Sequence, residues 1–394
     1  MNGSRMNEIY LDNSATTPLS DTVKAAMREA MEVYGNPSSL HMLGKNAHDL
    51  LEKARRDIAA TLGVRGRLEN GQLIFTSCGS EADNLAILGT AYAKPRRKGG
   101  RVITTDSEHP GVENAMRALE QDGFEVIRIS TRGGVLDLAQ YEEAINDRTF
   151  LISLMTVNNE TGAIYDVARA FAIAKAKNPN IVTHTDAVQG YLKCRFAPAT
   201  IKADMVTLSA HKIHGPKGVG ALYVSPEALK RRDLVPTLVG GGQEFGFRSG
   251  TENLIGIVGF GAAAAEGYAR LGNDLPYMAE LRNYAIERLS ALSVQLNLPT
   301  GACAPHIINL TLPDIKSETM LHALSAEGIY VSNGSACSSH SQKVSAALTA
   351  FGLTPQQIEC SIRISLSAKN TRGDIDALTH ALSKSIERLV KIHR

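Results

Sequence analysis

The sequence has no tryptophan, few cysteines, no large excess of either charge and no long hydrophobic run. Its formal net charge is +2, and no basic stripe is interleaved with aromatic residues, so we expect no nucleic-acid partner. No apolar run approaches ~20 residues, so we also expect no membrane span. The first residues lack the apolar centre of an export signal, which predicts a cytoplasmic protein.

The five cysteines are scattered along the chain and show no paired spacing. They are Cys78, Cys194, Cys303, Cys337 and Cys360. An odd, scattered set is typical of a reducing compartment and argues against a disulfide framework. Because no cysteine cluster has the spacing of a zinc site, we expect no metal centre.

The residue pattern predicts an α/β protein. The 394 residues suffice for a large domain and a smaller one. Short apolar runs alternate with helical patterns over roughly 200 residues, which indicates an open, mostly parallel sheet with its ligand at the carboxyl ends of the strands. A helix over residues 254–271 should lead to a second unit, in which another helix spans residues 277–292.

Lys212 lies on a turn between two predicted strands. The apolar run Met205–Leu208 precedes it, glycines and a proline at residues 215–218 force a turn, and Val219–Val224 is the next apolar run. A lysine held and desolvated in this way can form a Schiff base, as lysine does with pyridoxal phosphate. Asp186 ends an upstream strand and could pair with the pyridine nitrogen. The alternative is an ordinary loop lysine.

Residues 76–84 join a predicted strand to an apolar helix through a turn of small residues. Backbone amides and the helix dipole at such a junction favour a phosphate, and Gly79 and Ser80 are the expected donors. Many α/β proteins contain similar turns. The pattern gains weight here because a cofactor bound by Lys212 would also need a phosphate site.

Four further residues are candidates for chemistry. His109 follows a strand and could stack on a cofactor ring or move protons, or it is simply a turn residue. Asn159 could bind a cofactor hydroxyl or cap a loop. Arg363 could bind a carboxylate with its planar fork. Cys337 lies among small polar residues, where a cysteine is either an exposed nucleophile or an ordinary loop residue.

Together these segments resemble the pyridoxal-phosphate-dependent cysteine desulfurases, which have the class V aminotransferase fold. The similarity covers essentially the whole chain after Met6. The motifs that carry it are Tyr10-Leu-Asp-Asn-Ser-Ala-Thr-Thr-Pro18, Gly35-Asn-Pro-Ser-Ser39 with His41, Glu108-His-Pro110, Val157-Asn-Asn-Glu160, Asp186-Ala-Val-Gln189, Ser209-Ala-His-Lys212, Arg248-Ser-Gly-Thr251 and Gly334-Ser-Ala-Cys337. The last motif is similar to the first of the family's two groups, which has the longer cysteine loop.

The resemblance implies a pyridoxal-phosphate-dependent transferase of fold type I, like aspartate aminotransferase. Residues 15–262 would form the large cofactor-binding domain around the mostly parallel sheet. Residues 6–14 and 263–394 would form a smaller α/β domain that carries the Cys337 loop. Thr251 would reach the phosphate of the other subunit, which implies a homodimer with shared active sites.

The resemblance also implies a role for each matched residue. Lys212 would bind the cofactor covalently, His109 would stack on its ring and assist proton transfer, and Cys337 would take the sulfur. The other cofactor contacts would be Asp186 at the ring nitrogen, Gln189 at the ring hydroxyl, Asn159 beside His109, and Gly79, Ser80, Ser209, His211 and Thr251 at phosphates. Asn36 and Arg363 would place the carboxylate of the substrate.

The implied reaction converts L-cysteine to L-alanine and leaves the sulfur on Cys337 as a persulfide. A protein acceptor would then receive the sulfur, either a scaffold of iron–sulfur cluster assembly or a factor of tRNA thiolation. Alternatives are a selenocysteine lyase or a class V aminotransferase and, outside catalysis, a cofactor-bound scaffold subunit. An aminotransferase would have no use for Cys337, which separates that alternative from a desulfurase.

Three positions depart from the family pattern. Cys78 stands where the family usually has glycine, and we expect it to be a packed small residue. Ser80 replaces the usual threonine and keeps the hydroxyl. Residues 341–345 keep the family spacing but lack its acidic residue and proline, which bears on the acceptor more than on the chemistry.

Overall fold

The computed structural model describes residues 8–64, 66–333 and 344–392. Apolar and β-branched runs form twelve strands in these ranges: β1 (Ile9–Tyr10), β2 (Leu73–Thr76), β3 (Arg101–Thr105), β4 (Glu125–Ile129), β5 (Thr149–Ser153), β6 (Val182–Asp186), β7 (Met205–Ser209), β8 (Gly220–Val224), β9 (Gln295–Leu296), β10 (Ile307–Thr311), β11 (Ile329–Tyr330) and β12 (Ser361–Ser365). Every residue of β5, β6, β7 and β8 is buried, which explains why these strands are so apolar.

Thirteen α-helices connect the strands within the same ranges. They are α1 (Asp21–Met31), α2 (Met42–Thr61), α3 (Gly79–Tyr92), α4 (Pro110–Gln121), α5 (Leu138–Ala144), α6 (Val167–Lys177), α7 (Pro198–Ile201), α8 (Pro226–Arg231), α9 (Leu254–Ser290), α10 (Ser317–Ser325), α11 (Ala346–Phe351), α12 (Pro355–Glu359) and α13 (Arg372–Ile392). Several begin at a polar cap. Ser20, for example, accepts a hydrogen bond from the backbone N–H of Val23 and so fixes the start of α1.

Seven strands form the main sheet, in the order β2-β8-β7-β6-β5-β3-β4. β8 runs antiparallel to both β2 and β7, and all other neighbours are parallel. As a result β2 has the same direction as the five parallel strands, so six strands end at one edge. The predicted mostly parallel sheet is therefore confirmed, and the turns that follow these strands lie at a common edge.

Helices cover both faces of the main sheet. On one face α3 and α4 bury Leu85 and Met116 against the strands. On the other face α2, α6 and the first part of α9 bury Leu51, Phe171 and Phe260. Each such side chain contributes roughly 1.5–3 kcal/mol by leaving water, so the two helical layers hold the sheet and its edge in place.

A smaller unit contains the remaining strands. β12, β10 and β9 form an antiparallel sheet, and β1 pairs in parallel with β11. Leu11 packs here with Leu281 of α9, Ile308 of β10 and Leu378 of α13, in a hydrophobic cluster separate from those of the main sheet. The N-terminal segment thus packs with elements from the C-terminal third of the chain. The boundaries after residues 14 and 262 stay predictions.

α9 is one continuous helix of 37 residues, so the prediction of two helices over 254–271 and 277–292 is wrong. Pro276, which lies between the two predicted segments, is inside the helix. A proline removes one backbone hydrogen bond and strains the preceding turn. Burial of apolar residues on both sides of it offsets that cost: Leu271, Met278 and Leu281.

Among the described helices, α9 is also the one that is long and apolar enough to cross a membrane, judged by length and composition. A core helix of a globular protein meets the same criteria, and 44% of the most apolar window of α9 is buried. Phe260, Ala263 and Ala264 of this helix pack inside the main hydrophobic cluster. The finding is therefore weak evidence for a span.

Candidate active site

One cavity of about 370 Å³ is lined by the turns at the edge where the six strands end. Residues after β2, β3, β5, β6 and β7 line it, together with Ser14 and Ala15 of the N-terminal segment. Ten residues selected from the sequence meet there: Gly79, Ser80, His109, Asn159, Asp186, Gln189, Ser209, His211, Lys212 and Arg363. The common direction of the strands explains this convergence of residues that are far apart in sequence.

Lys212 ends a short 3-10 turn, residues 210–212, between β7 and β8. Its Nζ donates hydrogen bonds to the backbone carbonyls of Ser14 and Ala15, at 2.7 and 2.6 Å. Gly215 allows the chain to fold back tightly, because a Cβ there would lie 2.8 Å from the carbonyl oxygen of Ala210. The lysine is thus held on a constrained turn in the cavity wall, as expected.

Asp186 is the last residue of β6 and is buried. Its Oδ1 accepts a hydrogen bond of 2.8 Å from the backbone N–H of Val188. Burial raises the pKa of Asp186 to about 6, although this hydrogen bond and the nearby charge of Lys212 act in the opposite direction. A protonated ring nitrogen beside Asp186 would stabilise its anion further.

His109 caps the N-terminus of α4. Its Nδ1 accepts a hydrogen bond of 3.1 Å from the backbone N–H of Gly111. Burial lowers the pKa of His109 to about 4, and the charge of Lys212 adds to this effect. The imidazole is therefore neutral at neutral pH. Because Nδ1 is the acceptor, the ring proton lies on Nε2, which is thus a hydrogen-bond donor.

The N-terminus of α3 forms a further wall of the cavity. Cys78 is the N-cap residue but makes no capping hydrogen bond within the described chain, so the first backbone amides remain available. Gly79 packs so tightly that a Cβ there would lie 2.9 Å from Cγ2 of Val188. The buried hydroxyl of Ser209 has no hydrogen-bond partner among the described residues. This group of donors suits a phosphate.

Cys78 itself is exposed and lines the cavity, so the expectation of a packed residue is wrong. The reason is its place at the N-cap, where the extended backbone (φ −171°) keeps the side chain outside the helix.

His211 also lies in the cavity wall, with Nδ1 3.1 Å from Oγ1 of Thr16. Burial and the charge of Lys212 lower the pKa of His211 to about 4, so this ring is neutral as well.

Arg363 reaches the cavity from β12 and is buried. Its Nη1 donates to the carbonyl oxygen of Asn159 at 2.8 Å, and its Nη2 donates to Oδ1 of Asp12 at 2.9 Å. Gln189 donates from Nε2 to the carbonyl oxygen of Ser14 at 2.9 Å. Its Oε1 is buried without a hydrogen-bond partner in the described part of the chain, and could accept from a ligand hydroxyl.

Two predicted residues, Asn36 and Thr251, do not line this cavity, and a third lies outside the described part of the chain. Asn36 is exposed, and its Oδ1 accepts from the backbone N–H of Ser38. Thr251 is exposed and lines a separate cavity of about 110 Å³ beside Ser77. Cys337 belongs to residues 334–343, which lie outside the described residues. The roles given to these three residues stay predictions.

Two buried carboxyl groups near the cavity, those of Asp83 and Glu108, had no predicted role. Asp83 lines it from the second turn of α3, three residues after Ser80 and hence on the same helical face, which is the signal that could have revealed it. Glu108 accepts hydrogen bonds from the backbone N–H of Met155 at 2.9 Å and from the Thr105 hydroxyl at 2.8 Å. Burial raises the pKa of Glu108 to about 8, so it is largely protonated at neutral pH.

The residues present fit pyridoxal phosphate. A lysine, a buried carboxylate and a neutral histidine share the cavity with a helix N-terminus. The buried oxygens of Ser209 and Gln189, which lack partners among the described residues, match a phosphate and a ring hydroxyl. A cofactor with an aldehyde, a basic ring nitrogen, a hydroxyl and a phosphate would satisfy each of these groups.

Comparisons with known proteins point to the same cofactor. The family model "Aminotransferase class-V" matches residues 9–378. "Cysteine desulfurase" of Trichormus azollae is 37% identical over 388 residues, which are 98% of this chain and 94% of that protein. "Cysteine desulfurase IscS" of Methanosarcina thermophila is 39% identical over 385 residues, 97% of this chain and 92% of its own.

Solved structures agree with this assignment. A "NifS-like protein" superposes with a TM-score of 0.88 at 35% identity and covers 98% of this chain and 100% of its own. "SspA in complex with cysteine" superposes with a TM-score of 0.78 at 33% identity, and the match covers 92% of this chain and 100% of that one. The chain therefore belongs to the class-V aminotransferase family, among the cysteine desulfurases, whose members depend on pyridoxal phosphate.

Proposed function

We propose that this chain is a cysteine desulfurase that converts L-cysteine to L-alanine and transfers the sulfur to Cys337 as a persulfide. The observation that carries this proposal is the single cavity in which Lys212, Asp186 and His109 meet Arg363. The first three suit a pyridoxal phosphate enzyme, and Arg363 offers a guanidinium for the carboxylate of an amino acid. The names of the relatives support cysteine as that amino acid.

Lys212 and Asp186 would act on the cofactor. Lys212 would hold pyridoxal phosphate through its aldehyde, and the bound cofactor would supply a protonated ring that withdraws electrons from Cα of the amino acid. Asp186 keeps the ring nitrogen protonated by pairing with it. The free amine of Lys212 would be placed in the same cavity to accept the Cα proton of the amino acid. The carbonyls of Ser14 and Ala15 orient that amine.

His109 and Arg363 act on the substrate side. With its proton on Nε2, His109 would donate a hydrogen bond to the reacting groups, and burial keeps the ring neutral. Arg363 would bind the substrate carboxylate and so orient the amino acid in the cavity. Both tasks require preorganised side chains, which the backbone contacts of Gly111 and Asn159 provide.

The sulfur step is a transfer between two thiol sulfurs. The thiolate of Cys337 attacks the sulfur of the substrate, the bond between that sulfur and Cβ breaks, and Cβ finally takes up a proton. One L-cysteine and one cysteine thiol thus give one L-alanine and one persulfide, without an external oxidant. A reductant or an acceptor protein then removes the outer sulfur and restores Cys337.

The test is the release of sulfide and alanine from L-cysteine with a reductant, measured on the wild type and on Cys337→Ala. We expect equal amounts of both products from the wild type, and no turnover from a variant that keeps the cofactor absorbance. Equal activity of the two proteins would instead favour an aminotransferase. Strong preference for selenocysteine would favour a lyase, and inactivity of both would favour a cofactor-bound scaffold.

We also propose a homodimer that completes each site. Asn36 and Thr251 lie outside the cavity of their own chain, and the segment around Asn36 exposes Tyr34, Leu40 and Met42 at 81%, 103% and 68%. Exposed apolar side chains of this size favour a protein interface. Sedimentation should give twice the chain mass. Mixing Lys212→Ala with Thr251→Ala chains should restore activity in mixed dimers if Thr251 serves the opposite site.

The names of the relatives indicate a class of sulfur acceptor but no individual acceptor protein. We propose that the persulfide serves iron–sulfur cluster assembly in the cytoplasm, since several relatives are named IscS, and tRNA thiolation is the second candidate. Incubation with radiolabelled cysteine and either an iron–sulfur scaffold protein or a tRNA thiolation factor would separate them. Label on the thiolation factor alone would overturn the first choice.

A further inference from the structure

A second buried carboxyl group, that of Asp83, lies beside Asp186. One polar side-chain atom of each of Asp83, Asp186 and His109 lies within 4.8 Å of the other two. Asp83 is 1% exposed and lines the same cavity from α3. Its Oδ1 has no hydrogen-bond partner among the described residues. A buried acidic group in this position needs a physical explanation.

The surroundings of Asp83 supply little positive charge. Thr207 donates a hydrogen bond to its carboxyl group. Nε2 of His184 lies 3.8 Å from Oδ1 of Asp83, but that ring is held by Ser153 at 2.8 Å and by Thr207 at 3.0 Å. Burial lowers the pKa of His184 to about 3, so this imidazole is neutral and cannot balance an anion.

Two buried carboxylates at this separation cannot both be ionised at low cost, because each charge raises the proton affinity of the other. The anion is better stabilised on Asp186, which has the backbone N–H of Val188 and the nearby charge of Lys212. Asp83 faces groups that are neutral or negative: Asp186, Glu108, Cys78, His109 and His184. Burial and these like charges raise the pKa of Asp83 well above its ordinary value.

We propose that Asp83 is a positioning residue that stays protonated behind Asp186, so that Asp186 is the single anion presented to the ring nitrogen of the cofactor. The inference rests on the proposed function only in so far as pyridoxal phosphate is bound. Asp83 acts through Asp186, as a neutral carboxyl group that occupies the buried space beside it. Since Ser80 and Asp83 lie on one face of α3, the same helix sets both the phosphate contact and the ring charge.

The test compares Asp83→Asn with Asp83→Ala, and it uses the absorbance and affinity of bound pyridoxal phosphate rather than turnover. At pH 7 the Asn variant should keep the wild-type spectrum and affinity, because a neutral amide replaces a neutral carboxyl group. The Ala variant should bind the cofactor about tenfold more weakly, since it leaves a cavity beside Asp186 and no longer holds that carboxylate in place. At alkaline pH the wild type should show a second change in cofactor absorbance, and the Asn variant should lack it.

Glu120→Gln serves as the charge control, since Glu120 is an exposed carboxylate on α4. This variant should have the cofactor absorbance and the cofactor affinity of the wild type at each pH. Loss of cofactor affinity in Asp83→Asn at pH 7, equal to that of Asp83→Ala, would show that Asp83 acts as an anion and would overturn the proposal. The proposal would also be overturned if the cofactor absorbance of the wild type and of Asp83→Asn changed identically at alkaline pH. Because bound cofactor is the readout, either result leaves the desulfurase assignment standing.

Discussion

Arg363 forms an ion pair with Asp12, in which Nη2 lies 2.9 Å from Oδ1. The arginine side chain is 3% exposed, and its Nη1 donates to the carbonyl oxygen of Asn159. Both terminal nitrogens therefore already have a partner. A substrate carboxylate that binds Arg363 must share the guanidinium with Asp12 or displace it, so the strength of this pair sets the affinity for the substrate.

Replacement of Arg363 by lysine should raise KM for L-cysteine by about tenfold or more, because an ammonium cannot hold Asp12, Asn159 and a carboxylate with one planar group. The cofactor absorbance should be unchanged. Asp12→Asn should have the opposite effect on KM, since it leaves the guanidinium charge to the substrate. Steady-state kinetics of both variants check this, and an unchanged KM in Arg363→Lys would remove Arg363 from the substrate site.

Lys212→Ala should lose the yellow absorbance of the bound cofactor, because the covalent link needs the Nζ amine. Lys217→Ala is a matched control, since Lys217 is exposed five residues later and does not line the cavity. It should keep the wild-type spectrum. The measurement is the absorption spectrum after dialysis, and a band retained in Lys212→Ala but lost in Lys217→Ala would reverse the assignment.

Glu108→Gln should stabilise the protein at pH 8 but have little effect at pH 4.5. The folded-state pKa of Glu108 is raised from 4.5 to about 8, so the folded protein binds a proton that the unfolded chain has lost between these values. The wild type therefore loses stability as pH rises through this range. The glutamine keeps both accepted hydrogen bonds and removes the titration, for a gain of up to a few kcal/mol.

Urea unfolding of the wild type and Glu108→Gln at several pH values measures this difference. The exposed Glu120→Gln should show no such pH-dependent gain. A constant difference between Glu108→Gln and the wild type from pH 4.5 to 8 would mean that Glu108 does not titrate in this range.

The buried pair Arg55–Glu244 should be more important for stability than for chemistry. Its two hydrogen bonds measure 2.7 and 2.9 Å, the two side chains are 4% and 2% exposed, and Glu244 also accepts from the backbone N–H of Phe75. Glu244→Ala should destabilise the fold by roughly 3–5 kcal/mol, because it leaves a buried guanidinium with too little compensation.

Glu52→Ala is the matched comparison, since Glu52 binds the same arginine but is 25% exposed. It should cost at most about 1 kcal/mol. Thermal or urea unfolding of both variants measures the difference. Equal costs would mean that Arg55 is solvated in solution, in conflict with its burial.

Site residues could be predicted from the sequence where a reactive side chain lies at the end of a clear apolar strand. The turn of Lys212 follows an apolar run and precedes another, and the strand that ends in Asp186 is equally clear, so both could be placed before any contact was known. The strand order could not be predicted, because the antiparallel insertion of β8 depends on long-range pairing.

The incorrect and missing predictions also arise from long-range contacts. Asp83 looks like an ordinary acidic residue near a helix start, and its burial arises from distant neighbours such as Thr207 and His184. Cys78 was judged by family pattern alone, whereas its exposure depends on how the turn before α3 enters the cavity. The prediction of two helices was wrong because local pattern omits the burial that keeps α9 continuous across Pro276.

The contact between Lys212 and the carbonyls of Ser14 and Ala15, together with Arg363 in the same cavity, has a consequence for biosynthesis. The ribosome adds roughly 5–20 residues per second and releases the N-terminal part first. The main sheet has all its strands once β8 has emerged and both helical layers once the first part of α9 has followed, but the cavity lacks Arg363 until β12 is made. A nascent chain therefore cannot hold its cofactor and substrate together until it is almost complete, because the arginine that would bind the substrate carboxylate is made late.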